Sequence, residues 1–520
     1  MKTDHSSHFP HRYLSRRTFV KNVATVGASL TLLPRVSCAA QTSMLAADPL
    51  RPQFHLLPAA NWMNDPNGPI YWRGQYHMFF QYNPGAAVWG DMHWAHAVSP
   101  DMVHWKHLPI ALAPTPGGPD QDGCFTGSAV DDHGTATFVY TGVRSAPAAQ
   151  ATLRDGVNNF RETQCLATSQ DGDLRTWKKL AQPVIEPPAD ALLTGFRDPF
   201  LWQEGDAWYL GVASGLRKQG GRVLIYRSKD LRQWESVSVL CSGQWNGKDT
   251  PDVVDSGEMW ECPDLFALGG KHVLIYSTER KVYWESGELD RAKMEFHSQR
   301  QGLLDSGAYY APKTQSGANG ERILWGWITE KRSDDELRKA GWAGCMSLPR
   351  VVTLDAEGRL LMSPAPAVAK LRTNLVALPS PAVAAADRRT FLQKMRVTNL
   401  AAEMSLRIRN APFAMKLSDG RQDFLTLAFA PVKSGSEFSV NDVGIALPAS
   451  TTERQELSIT VFIDGSVVEV FVNGRAAHTA RVYGIPANPL QLEMSDSALQ
   501  NVVSLQAWQI APISPDRLTT

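Results

Sequence analysis

Short stretches in which apolar side chains, many of them aromatic or β-branched, alternate with small or polar ones recur along the first two-thirds of the chain. Gln75–Phe80, Ala136–Tyr140, Ala207–Gly211, His272–Tyr276 and Arg322–Gly326 look alike and follow one another at roughly 50 to 70 residues. A second pattern, Ser-x-Asp followed by Leu or Met and then Trp, runs over Ser99–Trp105, Ser169–Trp177 and Ser228–Trp234. It predicts a turn leading into an outer strand, with the Trp packed between neighbouring units. Several strands per unit at this period predict a five-bladed β-propeller over residues 50–360. A β-sandwich array is the alternative, and it leaves the recurring Trp unexplained.

The pattern then changes. Residues 361–385 are rich in Pro and Ala and read as a linker, with a short helix expected over Ala367–Asn374. From 386 to 512 the alternation returns, at Met404–Ile408, Phe424–Phe429 and Leu457–Ile463. The last of these turns through Asp464 and Gly465 into Val467–Val472, a strong hairpin signal. This second unit is expected to be an antiparallel β-sandwich. It carries no evident cluster of acids or histidines, so a supporting role is assigned to it. The fold class is therefore all-β: a five-bladed β-propeller followed by a C-terminal β-sandwich.

Charge narrows the partners. Lys and Arg total 52, Asp and Glu total 52, so nothing favours nucleic acid or an anionic membrane surface. A neutral ligand fits better, and the 16 Trp offer faces on which sugar rings stack. At the N-terminus, Ser15, Arg16, Arg17, Phe19 and Lys21 form a twin-arginine pattern ahead of an apolar run from Val23 to Leu33. Small residues Ser37, Ala39 and Ala40 follow. Residues 1–40 are thus expected to be a twin-arginine signal peptide, giving a periplasmic or extracellular protein without membrane anchoring. Of six cysteines, removal of Cys38 with the signal leaves Cys124, Cys165, Cys241, Cys262 and Cys345, an odd set with no CxxC pair. Buried free thiols are the expectation, since this export route carries proteins already folded in a reducing compartment.

Three acids occupy equivalent places in the repeat. Asp65 lies eleven residues before Tyr76, Asp198 ten before Trp208, and Glu261 twelve before Val273, each ahead of the second strand of its blade. First strands line a propeller's axis, so the three side chains are expected to converge at one mouth of the channel. Taken singly, Asp-Pro and Asn-Gly pairs are ordinary turn formers. Three in register call for another reason, because converging carboxylates repel unless they are partnered or used. A glycosidase uses such a pair, one attacking the anomeric carbon and one protonating the leaving oxygen. Arg197 is expected to keep Asp198 ionised, and Glu261, in an apolar setting beside Trp260 and Cys262, to serve as the acid. A calcium site is disfavoured, since the acids are far apart in sequence. His93, His96 and His104 lack a glutamate at zincin spacing and read as hydrogen-bonded strand or turn residues. Asp334 and Asp335 read as a solvated loop.

Trp62–Gly68 (Trp-Met-Asn-Asp-Pro-Asn-Gly), Arg197–Pro199 and Glu261–Pro263 resemble, in order and spacing, the three signature motifs of glycoside hydrolase family 32, which includes invertases, inulinases, levanases and fructosyltransferases. The resemblance extends from about residue 50 to 510, the hairpin around Asp464 included. It implies Asp65 as nucleophile, Asp198 as transition-state stabiliser and Glu261 as general acid/base. It further implies Asn64, Gln81 and Arg197 as polar contacts to the fructosyl unit, with Trp89, Phe125 and Trp327 as the apolar wall. Thr126 stands where the family often has Ser, and its hydroxyl is expected to keep the same hydrogen bond. No metal or organic cofactor is implied.

The reaction so implied is retaining hydrolysis, which needs the two carboxyl groups roughly 5 to 5.5 Å apart. Sucrose, inulin and levan share the terminal fructofuranosyl group, so these motifs do not separate them. Export favours a polymer, and exo attack on levan or inulin, with sucrose also cleaved, is the expectation. A fructosyltransferase, an endo-fructanase and an inactive carbohydrate-binding propeller are the alternatives. Both a monomer and a homodimer fit the sequence.

Overall fold

The computed structural model describes residues 38–154, 158–378, 385–432, 435–447, 455–516 and Leu518. The twin-arginine segment lies outside the described residues. Five antiparallel sheets follow one another along the chain. Blade I is built from Asn61–Trp72, Gln75–Asn83, His93–Ser99 and Lys106–Leu112. Blade II takes Gly123–Asp132, Thr135–Ser145 and Asn159–Ser169 with the short Leu153–Arg154 at its edge, and blade III Leu193–Glu204, Ala207–Leu216, Gly220–Ser228 and Glu235–Ser242. Blade IV comprises Glu261–Leu268, Lys271–Thr278, Lys281–Asp290 and Glu295–Asp305, and blade V Tyr309–Ser316, Arg322–Ile328, Arg350–Leu354 and Leu360–Pro364. All five repeated stretches of the sequence fall in second strands.

The five first strands touch in a closed ring, I to II to III to IV to V and back to I, so they surround the axis. Between the second and third strands of blade V, Trp342–Ala343 leaves to pair in parallel with Asn61–Trp62 of blade I. That pairing fastens the two ends of the propeller. The Ser-x-Asp pattern forms a turn after the third strand of blades I, II and III. In blade I the Asp101 carboxylate accepts from the backbone N–H of Val103 and His104, Met102 takes a left-handed φ of 72°, and the Trp105 indole donates back to the Met102 carbonyl at 3.0 Å. Leu174 and Leu231 repeat the left-handed residue, and Trp177 and Trp234 repeat the indole bond. As the pattern predicts, the Trp packs between blades: Trp105 sets its edge against Trp325 of blade V.

The C-terminal unit is a sandwich of two six-stranded sheets. One runs Arg372–Ala377, Val502–Ile510, Ala401–Arg409, Glu456–Asp464, Val467–Val472, Ala476–Arg481; the other runs Arg396–Val397, Leu490–Met494, Phe413–Ser418, Asp423–Val432, Gly435–Val440, Val443–Leu447. Their facing side chains, among them Leu406, Leu427, Phe438, Ile459 and Val470, form one apolar core. Gly465 in the predicted hairpin has φ +55°, and a Cβ there would sit 2.6 Å from the Leu50 carbonyl oxygen. Turn geometry and the passing N-terminal strap both require glycine.

Three expectations change. Where a helix was expected over Ala367–Asn374, a 3-10 turn covers only Pro366–Leu371, and Arg372–Ala377 is an edge strand of the sandwich. The described run 361–378 of the expected linker 361–385 therefore holds the end of the last strand of blade V and this edge strand. Asp334 and Asp335 open a helix, Asp334–Ala340, capped by reciprocal bonds between Ser333 and Glu336. Acids in a first helical turn meet unpaired N–H groups and the positive dipole end, which favours a helix over a loop.

The sandwich is fastened to the propeller through buried charge. Asp464 accepts from the backbone N–H of Gln53, Phe54 and His55, and from the His55 ring at 2.8 Å. The other His55 nitrogen meets Glu469 at 2.9 Å. Arg350 of blade V forks onto Glu469 and reaches Asp305 of blade IV at 3.0 Å. Burial opposes charge on His55, but its two carboxylate partners outweigh that and push its pKa up, while Glu469, despite burial, is held down at about 2 by Arg350 and His55. The sequence reading that gave the sandwich no cluster of acids missed this network.

Candidate active site

Every first strand of the propeller loses register against its neighbour at the same level. The breaks lie between Met63 and Pro66, Cys124 and Gly127, Arg197 and Phe200, Glu261 and Asp264, and Tyr310 and Lys313. A bulge swings side chains off the regular alternation, so five of them at one level turn several residues toward the axis. Asp198, Cys262 and Ala311 have φ of 63°, 48° and 51°, left-handed values at the same turns. Local strain thus collects where the acids sit.

Around Asp65, the Thr126 hydroxyl donates to Oδ2 at 2.6 Å and the Asn64 amide donates to Oδ1 at 3.1 Å. Gln81 donates to Thr126 and reaches Asp65 at 3.5 Å, and the Trp62 indole fixes Asn64 from behind at 2.8 Å. The Thr126 side chain is fully buried, so its hydroxyl bond to Asp65 is shielded from water. Burial pushes the Asp65 carboxyl above its ordinary range, and the nearby Glu261 charge adds to that.

Asp198 is buried and is placed by its own backbone N–H, which donates to Thr141 Oγ1 at 2.9 Å. Its Oδ2 accepts from the Cys262 backbone N–H at 2.9 Å, and the Cys262 thiol bridges Asp198 and Asp65 at 3.5 Å to each. Arg197 does not hold Asp198 ionised as expected. Its Nε stands 3.9 Å away, and burial with the charges of Glu261 and Asp65 pushes the Asp198 pKa up to about 7.

The guanidinium is committed elsewhere. Arg197 forks its Nε and Nη2 onto Glu261 Oε1 at 3.2 and 2.8 Å, and sends Nη1 to Glu162 Oε1 at 2.9 Å. The other Glu261 oxygen accepts from the Tyr310 hydroxyl at 2.7 Å. The expected apolar setting of Glu261 is not found: a cation and a phenol hold it, and Trp260 turns away to stack on Tyr276 at 3.8 Å. Sequence reasoning missed Tyr310, Glu162 and the thiol of Cys262. Tyr310 sits at the bulge of blade V, level with the acids, so alignment of all five first strands would have found it.

One wall is apolar. Trp62 meets Trp327 edge-on at 5.7 Å, Trp89 meets Phe125 at 5.9 Å, and the four pack in one cluster with Val88, Met92 and Ala343. The Trp327 indole N–H is buried without a partner. Close to the acids along the first strands, buried Lys313 reaches the carbonyls of Pro199 and Pro263, and Ser128 donates to the Pro199 carbonyl, which ties the first strands of blades II to V together. The acids and this aromatic cluster meet through Asn64, which is bonded to both the Trp62 indole and Asp65. Of the histidines, His96 pairs with His77 at 2.9 Å, His104 with Asp101 at 3.0 Å and His93 with a backbone carbonyl.

Comparison with known proteins places this arrangement. The model of the glycosyl hydrolases family 32 N-terminal domain matches residues 55–364, and that of the family's C-terminal domain matches 389–509. The chain belongs to glycoside hydrolase family 32. It is 33% identical to a sucrose-6-phosphate hydrolase of Escherichia coli, across 88% of this chain and 94% of that one. A family 32 β-fructofuranosidase of Bombyx mori superposes with a TM-score of 0.73 at 29% identity, covering 92% and 97%. Fructan 1-exohydrolase IIa from Cichorium intybus superposes with a TM-score of 0.71 at 25% identity, covering 89% and 98%. The family 32 fold, propeller then sandwich, is the one described above.

Proposed function

We propose that this family 32 enzyme is a retaining β-fructofuranosidase that removes terminal fructose, exo-acting on levan or inulin and also cleaving sucrose. Asp65 attacks C2 of the fructosyl unit while Glu261 gives its proton to the departing oxygen. Asp198, on the neighbouring strand, faces the positive charge that develops on the ring. Water activated by Glu261 then releases fructose from Asp65. The observation that carries this reading is the convergence of the three carboxylates, Asp65 and Asp198 bridged by the Cys262 thiol and Glu261 held by Arg197 and Tyr310, beside an aromatic wall. Asn64, Gln81, Thr126 and Arg197 hold hydroxyls, and Trp89, Phe125 and Trp327 line the sugar's apolar face. Names of relatives that act on sucrose phosphate and on fructan are consistent with a shared fructosyl site and different leaving groups. The twin-arginine pattern supports an exported enzyme.

A chromatographic time course on levan, inulin and sucrose tests the specificity. Fructose alone from a polymer, with no early oligosaccharides, is the expected result. Early oligosaccharides would establish endo cleavage or fructosyl transfer and overturn the exo assignment.

A further inference from the structure

Glu162, in the third strand of blade II, is fully buried and touches none of the three proposed catalytic acids. Its carboxylate nevertheless accepts three hydrogen bonds. Oε2 accepts from the Phe196 backbone N–H at 2.8 Å and from the Thr152 hydroxyl at 2.8 Å, and Oε1 accepts from Arg197 Nη1 at 2.9 Å. Thr152 also accepts from the Glu162 backbone N–H at 3.0 Å, so the side chain is locked from both sides. Burying a carboxylate is costly unless it is paired and bonded in this way. The partner it meets is the guanidinium whose opposite edge forks onto Glu261.

We propose that Glu162 is a positioning residue for the acid/base: by holding the far edge of Arg197 it fixes where that guanidinium meets Glu261 and how much of its charge Glu261 feels. The proposal rests on Glu261 acting as acid/base. One cation here serves three carboxylates, Glu162 on blade II and Asp198 and Glu261 beside it, with Asp252 of the preceding loop also in its field. Glu261 itself faces Arg197 and Asp198 of blade III, Asp65 of blade I, Tyr310 of blade V, Cys262 on its own strand, and Asp252. Among these Arg197 is the cation in direct contact with Glu261, and Lys313, bonded to the Pro263 carbonyl, is a second cation near by. A general acid must hold its proton until substrate arrives, and a cation bound to it alone works against that. Glu162 answers part of that cation's charge and leaves the fork in place.

The sign follows directly. With Glu162 neutral, Arg197 is answered by Glu261 and Asp198 alone, the ionised form of Glu261 is favoured, and its proton leaves at lower pH. A Gln at 162 also meets donors on every side (Arg197, the Phe196 N–H and the Thr152 hydroxyl), so its amide NH2 opposes one of them.

The test is the pH dependence of kcat and KM on sucrose for Glu162→Gln and Glu162→Asp, each checked for folding by circular dichroism. For Glu162→Gln the alkaline limb of kcat/KM should move toward acid by about one pH unit, with kcat at the optimum about tenfold lower and KM within about twofold. Glu162→Asp keeps the charge on a shorter arm, so its kcat should fall while its alkaline limb stays at the parental position. An unmoved limb in folded Glu162→Gln overturns the proposal. If only Glu162→Asp folds, a fall in kcat with KM held supports the proposal, and parental kcat overturns it. Loss of activity in Glu261→Ala is read separately, so a failed role for Glu162 is distinguishable from a failed role for Glu261.

Discussion

Glu261→Ala lowers kcat on sucrose by about three orders of magnitude, the share of the rate that a positioned general acid/base supplies. The fold survives, because the side chain is 24% exposed at the pocket floor and its removal leaves Arg197 paired with Glu162. Tyr310 loses its acceptor but opens onto the pocket, where water replaces it. A substrate whose leaving group departs without protonation regains much of the first step, which separates a lost proton donor from a damaged site. Near-parental turnover on sucrose, in a variant with an unchanged circular dichroism spectrum, would remove Glu261 from the mechanism.

Arg350→Met has the second large effect, on stability. Arg350 is fully buried between Glu469 of the sandwich and Asp305 of blade IV, and it lies over the Tyr309 ring at 4.2 Å. Met fills much of the volume and keeps the ring contact, but it strands two carboxylates away from water. Removing one partner of a buried ionic network costs about 3–5 kcal/mol. The midpoint of urea unfolding should fall accordingly, and a loss under about 1 kcal/mol would show that the remaining donors, Thr479 and Gly307 on Asp305 and His55 and Leu348 on Glu469, satisfy the two acids. Because the network joins strands from both units, the propeller and sandwich should unfold in one transition in the parent and separate in the variant.

The sequence exposes what repeats. Five second strands are legible because each blade buries its second strand on both sides, which writes the same apolar run five times. Asp65, Asp198 and Glu261 are legible because they lie ten to twelve residues ahead of those runs. Partners are a different matter. Arg197 follows its sequence neighbour Asp198 by position, yet the bulge in their strand sends the guanidinium across to Glu261, and no periodicity reports a bulge. Glu162 lies on a third strand of another blade, and nothing in its local pattern marks it, whereas Tyr310 shows only when the blade V first strand is aligned with the others. The seam between the units is less visible still, since Phe54 and His55 meet Asp464 across some four hundred residues. The helix at Asp334 was readable from Ser333 and Glu336, whose spacing is a capping box, and two adjacent acids obscured it.

The most direct test of the mechanism is proton NMR of the first fructose released from sucrose, recorded before mutarotation. Attack by Asp65 followed by attack of water inverts C2 twice, so β-fructofuranose should appear first. First-formed α-fructofuranose would mean a single displacement by water and would contradict the nucleophilic role of Asp65.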